Sequence, residues 1–208
     1  MEPLIIGIAG PSGAGKSELA NALRRSLPEP AVILSLDSYY RSLSHMSLED
    51  RAQYNFDHPE ALEWPLIVQD VRRIAEGLAI EEPVYLFDQH DRAPVTRRVE
   101  PTPFVILEGL FALLHPEIRG MLAAGVFVFA PEEVCLARRI ARDTVERGRT
   151  RESVVRQYKR TVLPMAREYV LPTRELADLV VSGEDALDSS VADVCALLGR
   201  KRCECAAS

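Results

Sequence analysis

The sequence is poor in cysteine and lysine and contains no long apolar run. Its four cysteines are too few and too scattered for a disulfide framework. Cys135 and Cys195 fall on predicted helices, whereas Cys203 and Cys205 belong to the terminal segment CECAAS. No run approaches the ~20 apolar residues needed to span a bilayer, and the start MEPLIIG lacks the basic charge of a signal peptide. We therefore expect a cytoplasmic protein that does not act at a membrane.

The charge balance is acidic, with a formal net charge of −6 over 208 residues. A general nucleic-acid binder usually carries a basic balance, so we expect no nucleic-acid partner and only local anion sites. Apolar residues make up 47% of the chain, which supports one core. We expect a single domain over residues 1–200 and a disordered tail over residues 201–208. A metal or redox role for Cys203 and Cys205 is the weaker alternative, because their spacing is not C-x-x-C.

A glycine-rich stretch near the start of the chain has the spacing of a phosphate-binding loop. Residues 10–17 read GPSGAGKS and fit G-x-x-x-x-G-K-[ST] at every required position, after an apolar run and before a helical pattern. The backbone N–H groups of such a loop surround an anion. Lys16 would reach the outer phosphates of ATP, and Ser17 would ligate Mg²⁺. The predicted ATP-binding residues are Gly10, Pro11, Ser12, Gly13, Ala14, Gly15, Lys16 and Ser17.

Apolar runs alternate with helical patterns along the chain, which is typical of a parallel sheet covered on both faces. We predict an α/β fold of the P-loop NTPase type, with a five-stranded parallel sheet and helices on both faces. The predicted strands are residues 4–9, 31–36, 104–107, 125–130 and 178–182. Ile67, Val71, Ile74 and Leu78 have the spacing of one buried helix face. Residues 80–99 break the alternation, and we predict a β-hairpin added to the sheet and lying over the substrate.

Two acidic residues follow predicted strands, at the edge where an open parallel sheet binds its ligand. Asp37 follows AVILSL, and Glu108 follows PFVIL. Glu108 is predicted to hold Mg²⁺ together with Ser17, and Asp37 to accept the proton of an attacking hydroxyl group. In isolation an acid after a strand is as often a helix cap as a catalytic group. Two such acids beside a phosphate loop favour catalysis.

Arginines are concentrated between residues 138 and 151, in the stretch RRIARDTVERGRTR. In an acidic protein this cluster favours a lid that closes guanidinium groups onto a transferring phosphoryl group. The alternative is a solvated helix face whose charge is neutralised by neighbouring acids. The arginines of the cluster are Arg138, Arg139, Arg142, Arg147, Arg149 and Arg151, and the acids are Glu132, Glu133, Asp143 and Glu146.

Together these motifs resemble the uridine–cytidine kinase family of phosphate-loop kinases. The matching blocks occur in family order: GIAGPSGAGKS, LDSYY, SHMSLEDRAQYNFDHPEAL, PVYLFDQHDR, VILEGL, RRIARDTVERGR, SVVRQYKRTVLPM and LPTRELADLVV. The resemblance implies transfer of the γ-phosphate of ATP to the 5′-hydroxyl of uridine or cytidine, with Mg²⁺ as cofactor. It also implies a homo-oligomer, commonly a tetramer, whose partners are small molecules.

The resemblance also assigns roles to individual residues. The residues implied to act on the transferring group are Lys16, Asp37, Arg142, Arg147 and Arg149. The residues implied to bind the nucleoside are Asp37, Tyr40, Phe56, Asp57, Tyr85, Phe87, His90, Arg139 and Gln157. Asp37 would be the general base, and aromatic faces on the hairpin would hold the pyrimidine. For Asp57 a second interpretation stays open, in which it caps a helix with Glu60 three residues on.

The chain departs from the family pattern at three places, which leaves adenine contacts and base preference open. Leu86 replaces a usual acid, Asp88 replaces a common apolar residue, and residues 182–184 read SGE instead of proline-arginine-glycine. A related phosphate-loop kinase that acts on another nucleoside or on a sugar phosphate is the alternative function. A guanine-nucleotide switch would need an N-K-x-D motif, and neither Lys159 nor Lys201 stands in one.

Overall fold

The structure, a computed structural model, describes the backbone of residues 3–206 and the side chains of residues 3–201. The strands are β1 (Leu4–Ala9), β2 (Ala31–Ser35), β3 (Ile80–Leu86), β4 (Asp91–Val99), β5 (Phe104–Glu108), β6 (Ala124–Phe129) and β7 (Leu179–Ser182). The α-helices are α1 (Lys16–Ser26), α2 (Leu48–Gln53), α3 (Trp64–Ala75), α4 (Pro116–Met121), α5 (Glu132–Glu146), α6 (Arg151–Gln157), α7 (Leu163–Met165) and α8 (Leu187–Ala206). Shorter helical turns are Leu36–Tyr39, Pro59–Ala61, Tyr158–Val162, Ala166–Val170 and Leu171–Leu176.

The main sheet has five parallel strands in the order β2-β5-β1-β6-β7. This confirms the predicted α/β fold and its five strands, four of which differ from the prediction by one residue at one or both ends. Residues alternate between the two faces, so Ile5 packs into one core cluster and Ile6 into the other. α3 contributes to the first cluster, and α1 and α8 contribute to the second. Both faces of the sheet are therefore buried, as continuous apolar strands require.

β3 and β4 pair as an antiparallel hairpin that forms its own two-stranded sheet. The prediction that the hairpin is added to the main sheet is therefore wrong. Polar contacts hold the hairpin instead: the carboxylate of Asp91 accepts from the backbone N–H of Leu43 at 2.9 Å, and Arg92 donates to the carbonyl of Tyr39 at 2.8 Å. Because these partners lie just after β2, the hairpin is fixed beside the edge of the sheet where the phosphate loop begins.

One further expectation differs from the structure. Leu78 is 46% exposed, because α3 ends at Ala75 and the chain turns at Gly77 before β3. The backbone of α8 continues through residue 206, and the disordered tail over residues 201–208 stays a prediction. Residues 207 and 208 lie outside the described part of the chain. Within residues 3–206, no helix combines the length and the apolar character needed to cross a membrane.

Candidate active site

The predicted phosphate loop connects β1 to the start of α1, as its sequence context requires. Its turn is closed by a hydrogen bond from the N–H of Ala14 to the carbonyl of Pro11 at 3.1 Å. Gly13 has a φ of +86°, and a Cβ atom placed there would lie 2.4 Å from the carbonyl oxygen of Cys135. A side chain at this position would therefore strain the backbone and push α5 away. The loop presents the N-terminus of α1 as an anion site.

Lys16, the first residue of α1, lies half-buried inside the loop. Its ammonium group donates to the carbonyl of Pro11 at 2.9 Å. Burial lowers the pKa of Lys16, and the carboxylates of Glu108 and Asp37 partly offset this effect. The lysine is thus held among oxygen atoms close to both acids, a position that a phosphate group could share.

Glu108 and Ser17 meet at the carboxyl end of the sheet, as predicted. Ser17 donates from Oγ to one oxygen of Glu108 at 3.2 Å, and Ser35 donates to the other oxygen at 3.1 Å. Burial raises the pKa of Glu108, an effect that Lys16 opposes and Asp37 increases. Hydroxyl and carboxylate oxygens are the ligands that Mg²⁺ prefers, so these residues fit such an ion.

β2 ends at Ser35, one residue earlier than predicted. Asp37 therefore lies in the helical turn Leu36–Tyr39 and not directly after the strand. On the side of the phosphate loop, the carboxylate of Asp37 raises the pKa of both Lys16 and Glu108. On the other side, burial raises the pKa of Tyr40 well above its usual range, and the carboxylate of Asp37 adds to that rise. Asp37 therefore stands between the phosphate loop and a cluster of aromatic side chains.

That aromatic cluster combines residues from three chain segments. Tyr40 lies 5.2 Å from the rings of both Phe56 and Tyr85, measured between centroids. His90, at the hairpin turn, stacks on Phe56 at 5.7 Å, and Phe87 contacts Tyr85 at 5.2 Å. The predicted aromatic substrate residues are thus brought together, with Phe87 the most exposed of them at 43%.

The hydroxyl group of Tyr85 is an unusual feature of this cluster. It is buried and has no hydrogen-bond partner among the described side chains. A buried polar group without a partner is costly, and such groups in native proteins usually mark a ligand, a water molecule or a functional role. The cluster therefore offers an aromatic surface with one free polar contact.

A buried ion-pair network lies between the aromatic cluster and the phosphate loop. Arg139 approaches Asp57 at 4.0 Å and donates to Ser12 Oγ at 2.9 Å and to Gln157 at 3.1 Å. Burial raises the pKa of Asp57, and Arg139 opposes this shift. Thr161 also donates to Asp57, at 3.4 Å. Asp57, Arg139 and Gln157 therefore share one site, which is physically joined to the phosphate loop through Ser12.

The alternative interpretation of Asp57 as a helix cap is wrong. The turn Pro59–Ala61 is capped by His58, whose Nδ1 accepts from the N–H of Glu60 at 3.2 Å. The carboxylate of Asp57 faces Arg139 instead. Its burial, with 7% of its surface exposed, is unexplained by any capping role.

Arg138 differs from its sequence-based interpretation as part of a lid. Its guanidinium group donates to the carbonyl of Gly183 at 2.9 Å and more weakly to those of Gly13 and Ala14. A Cβ atom at Gly183 would lie 1.9 Å from the carbonyl of Ala14, so this glycine permits the loop after β7 to touch the phosphate loop. Arg138 therefore holds the phosphate loop against the loop that follows β7.

Four other arginines of the cluster, Arg139, Arg142, Arg147 and Arg149, meet at a fully buried acid, Asp143, whereas Arg151 is exposed at the start of α6. Arg142 donates to it from Nε at 2.9 Å, and Arg147 and Arg149 approach it at 3.8 Å and 3.5 Å. Arg147 also lies over the ring of Phe87, 4.8 Å from its centroid. The predicted phosphate-binding arginines thus stand together beside the aromatic cluster.

Sequence reasoning missed three residues of this site: Ser35, Thr161 and the central role of Asp143. Thr161 carried a usable signal, because it stands four residues after Gln157 on one helical face. Ser35 and Asp143 had none, since their partners are distant in the sequence or hidden among many similar charges.

Comparison with known proteins agrees with this geometry. The profile of the Phosphoribulokinase / Uridine kinase family matches residues 5–188. Proteins named uridine kinase from Shewanella amazonensis and Salmonella paratyphi B are 40% and 42% identical over 183 residues, 86% of each chain. The solved phosphoribulokinase of Rhodobacter spheroides, 19% identical, shares the fold with a TM-score of 0.63 over 88% of this chain and 73% of its own. The resemblance read from the motifs is confirmed, and the chain belongs to the phosphoribulokinase/uridine kinase family.

Proposed function

We propose that this chain transfers the γ-phosphate of ATP to the 5′-hydroxyl of uridine or cytidine, giving UMP or CMP. One observation carries the proposal: Arg139 contacts both Ser12 of the phosphate loop and Asp57 beside the aromatic cluster. A phosphate donor and a flat, hydroxyl-bearing acceptor would therefore lie next to each other. The relatives named uridine kinase support this choice of acceptor.

On the donor side, the loop and Lys16 would hold the phosphates of ATP. A cavity of about 180 Å³ beside the loop, bounded by Gly15, Arg138 and Gly183, has room for part of the nucleotide. Ser17 and Glu108 would hold Mg²⁺, which, when bound, neutralises charge on the phosphate oxygens. Ser35 fixes the second oxygen of Glu108.

On the acceptor side, Tyr85, Phe87 and His90 of the hairpin, packed with Tyr40 and Phe56, would hold the pyrimidine, and the free hydroxyl of Tyr85 would gain a partner. Asp57 would accept hydrogen bonds from the ribose hydroxyls, because an ionised carboxylate only accepts. Asp37 would orient the 5′-hydroxyl and take its proton as the phosphoryl group arrives. Closure of Arg142, Arg147 and Arg149 would offset the charge of that group.

An ADP-release screen with magnesium ATP tests the proposed function. Ribonucleosides, deoxyribonucleosides, sugar phosphates and fructose serve as acceptors, and Lys16→Ala serves as the control for contaminating kinases. We expect uridine or cytidine to give the highest kcat/KM and to yield the 5′-monophosphate. Efficient turnover of a sugar phosphate, with none of these nucleosides, would replace this proposal with the alternative kinase.

The same proposal includes a homo-oligomer, with a tetramer as the expected form, in the cytoplasm. It rests on the resemblance to the family. Light scattering coupled to size-exclusion chromatography measures the mass directly. A mass of one 23.2 kDa chain at micromolar concentration would contradict the oligomer.

Asp57→Asn is expected to reduce discrimination between uridine and 2′-deoxyuridine. Removal of a ribose hydroxyl takes one hydrogen-bond donor away from a buried carboxylate, which costs about 1–3 kcal/mol, so the native enzyme should favour the ribonucleoside by roughly 5- to 150-fold. In the variant the ratio of the two kcat/KM values should move toward one. Steady-state kinetics with both nucleosides measure it.

Glu60→Gln is the matched control, since it removes an exposed charge three residues away. The control should keep the native ratio. If Asp57→Asn also kept that ratio, Asp57 would have no role in binding the ribose.

A further inference from the structure

Asp143 is a buried carboxylate on α5, surrounded by arginines of this helix and of the connection that follows it. Its side chain has no solvent exposure. Four guanidinium groups approach it: Arg142 at 2.8 Å, Arg139 and Arg149 at 3.5 Å, and Arg147 at 3.8 Å. The proposed reaction assigns no step to Asp143.

The four arginines are not held in the same way. Arg139 and Arg142 stand on α5 with Asp143, so the helix itself fixes where their side chains begin. Arg147 and Arg149 lie beyond the end of α5, in the short connection to α6. The backbone N–H of Arg149 donates to the carbonyl of Asp143 at 3.1 Å. Asp143 therefore contacts this connection through both its main chain and its side chain.

The charges explain why such an anchor is needed. Guanidinium groups this close repel one another, and burial also disfavours their charge. Burial lowers the pKa of Arg147, and Arg142 lowers it further, while Asp143 opposes the shift. Burial lowers the pKa of Arg149 as well, and Asp143 again opposes it. Without this carboxylate, the two arginines of the connection would gain by moving into solvent.

The contacts of Asp143 are also suited to exchange. Its Oδ1 is bonded to Arg142, but Oδ2 has no hydrogen bond of good geometry among the described side chains. Arg139 and Arg149 approach Oδ2 only at ion-pair distance. An incoming phosphate oxygen could therefore replace the contact between Asp143 and Arg147, which involves no hydrogen bond. Arg149 would also have to exchange its hydrogen bond to the side chain of Gln157 at 2.5 Å.

We propose that Asp143 is a positioning residue that holds Arg147 and Arg149 beside the phosphate loop before nucleotide binds and releases them to the transferring phosphoryl group. This inference rests on the proposed function, because these arginines need a phosphoryl group on which to act. Asp143 itself touches no reacting atom.

The inference predicts that Asp143→Asn separates turnover from nucleotide binding. Misplaced arginines should lower kcat by about 10- to 100-fold, since small errors in position cost that much. The Kd of magnesium ATP should stay within ~3-fold or tighten, because the lost negative charge makes the site more attractive to ATP. Glu133→Gln removes a charge from the exposed start of the same helix and should change neither value. A Kd that weakens as much as kcat falls would overturn the proposal.

A double-variant background tests whether Asp143 acts through the two arginines. Arg147→Gln with Arg149→Gln removes the groups that Asp143 is proposed to position, and it also relieves their repulsion. Adding Asp143→Asn to this background should change kcat less than ~3-fold, because residues that act as a unit are not additive. A further loss of ~10-fold would show that Asp143 acts through Arg142 or through the fold instead, and it would overturn the proposal. This comparison also decides the matter if Asp143→Asn alone does not fold.

Amide hydrogen exchange tests the same proposal without any acceptor. In Asp143→Asn the amide of Arg149 should exchange at least ~10-fold faster than in the native chain, while amides in the middle of α5 keep their rates. Loosening of the whole helix, or an unchanged Arg149, would contradict a positioning role. Because ATP alone or no ligand is present, the result stands even if the nucleoside screen fails.

Discussion

Asp37→Asn should lose most of its turnover while it keeps its affinity for ATP and for nucleoside. Asp37 lies between the half-buried Lys16 and the aromatic cluster, and it is the acid proposed to receive the proton of the 5′-hydroxyl. Loss of a general base typically lowers the rate by ~10²–10⁴-fold. Asparagine keeps the size and polarity of the side chain, so both Kd values should change little. Single-turnover kinetics and equilibrium titration measure the two effects separately.

Asp193→Asn is the control for this experiment. It makes the same chemical change at an exposed position of α8, on the opposite side of the sheet core from the hairpin. Its turnover should equal that of the native chain. Near-normal turnover in Asp37→Asn would remove this residue from the mechanism and leave proton transfer to the solvent or to the substrate itself.

Arg147→Ala and Arg149→Ala should act mainly on the chemical step. Their guanidinium groups are held by Asp143 and Phe87 in the structure, and in the proposed reaction they meet charge on the transferring group. Loss of one such donor is worth on the order of 3 kcal/mol, or ~10²-fold in rate. We expect slower single turnovers with a much smaller change in the KM for ATP. Rapid-quench measurements of ADP formation report the step directly.

Arg156→Ala is the matched control, because it removes an exposed arginine from α6, a few residues further along the chain. Its single-turnover rate should be native. Native rates in both Arg147→Ala and Arg149→Ala would make these residues surface charges. The charged connection would then have no function as a lid, and the further inference about Asp143 would fail with it.

The relation between Asp57 and His58 shows how far local sequence logic reaches. The segment NFDHPEAL predicted a helical turn after an acid, and the turn Pro59–Ala61 is there. Which residue caps it could not be decided, because both Asp57 and His58 can accept from the turn. The carboxylate of Asp57 pairs with Arg139, 82 positions later in the sequence, and His58 caps the turn.

The sequence by itself determined the features that depend on neighbouring residues. The phosphate loop, the strand before it and the helix after it follow from residues 4–26 alone, because glycine spacing and apolar runs fix the local backbone. The five strands of the sheet were also readable, since strands buried on both faces need continuous apolar runs. Asp37 and Glu108 could be chosen because parallel strands end at one edge.

The tertiary structure decided the features that depend on distant partners. Arg138 and Arg139 are adjacent in the sequence, but they have different partners. Arg138 holds the phosphate loop against the loop after β7, and Arg139 joins the phosphate loop to Asp57. The hairpin forms its own sheet because Asp91 and Arg92 find partners just after β2. In a run of arginines and acids every local pairing is plausible. Only packing, which buries Asp143 completely, selects the charge that must be paired.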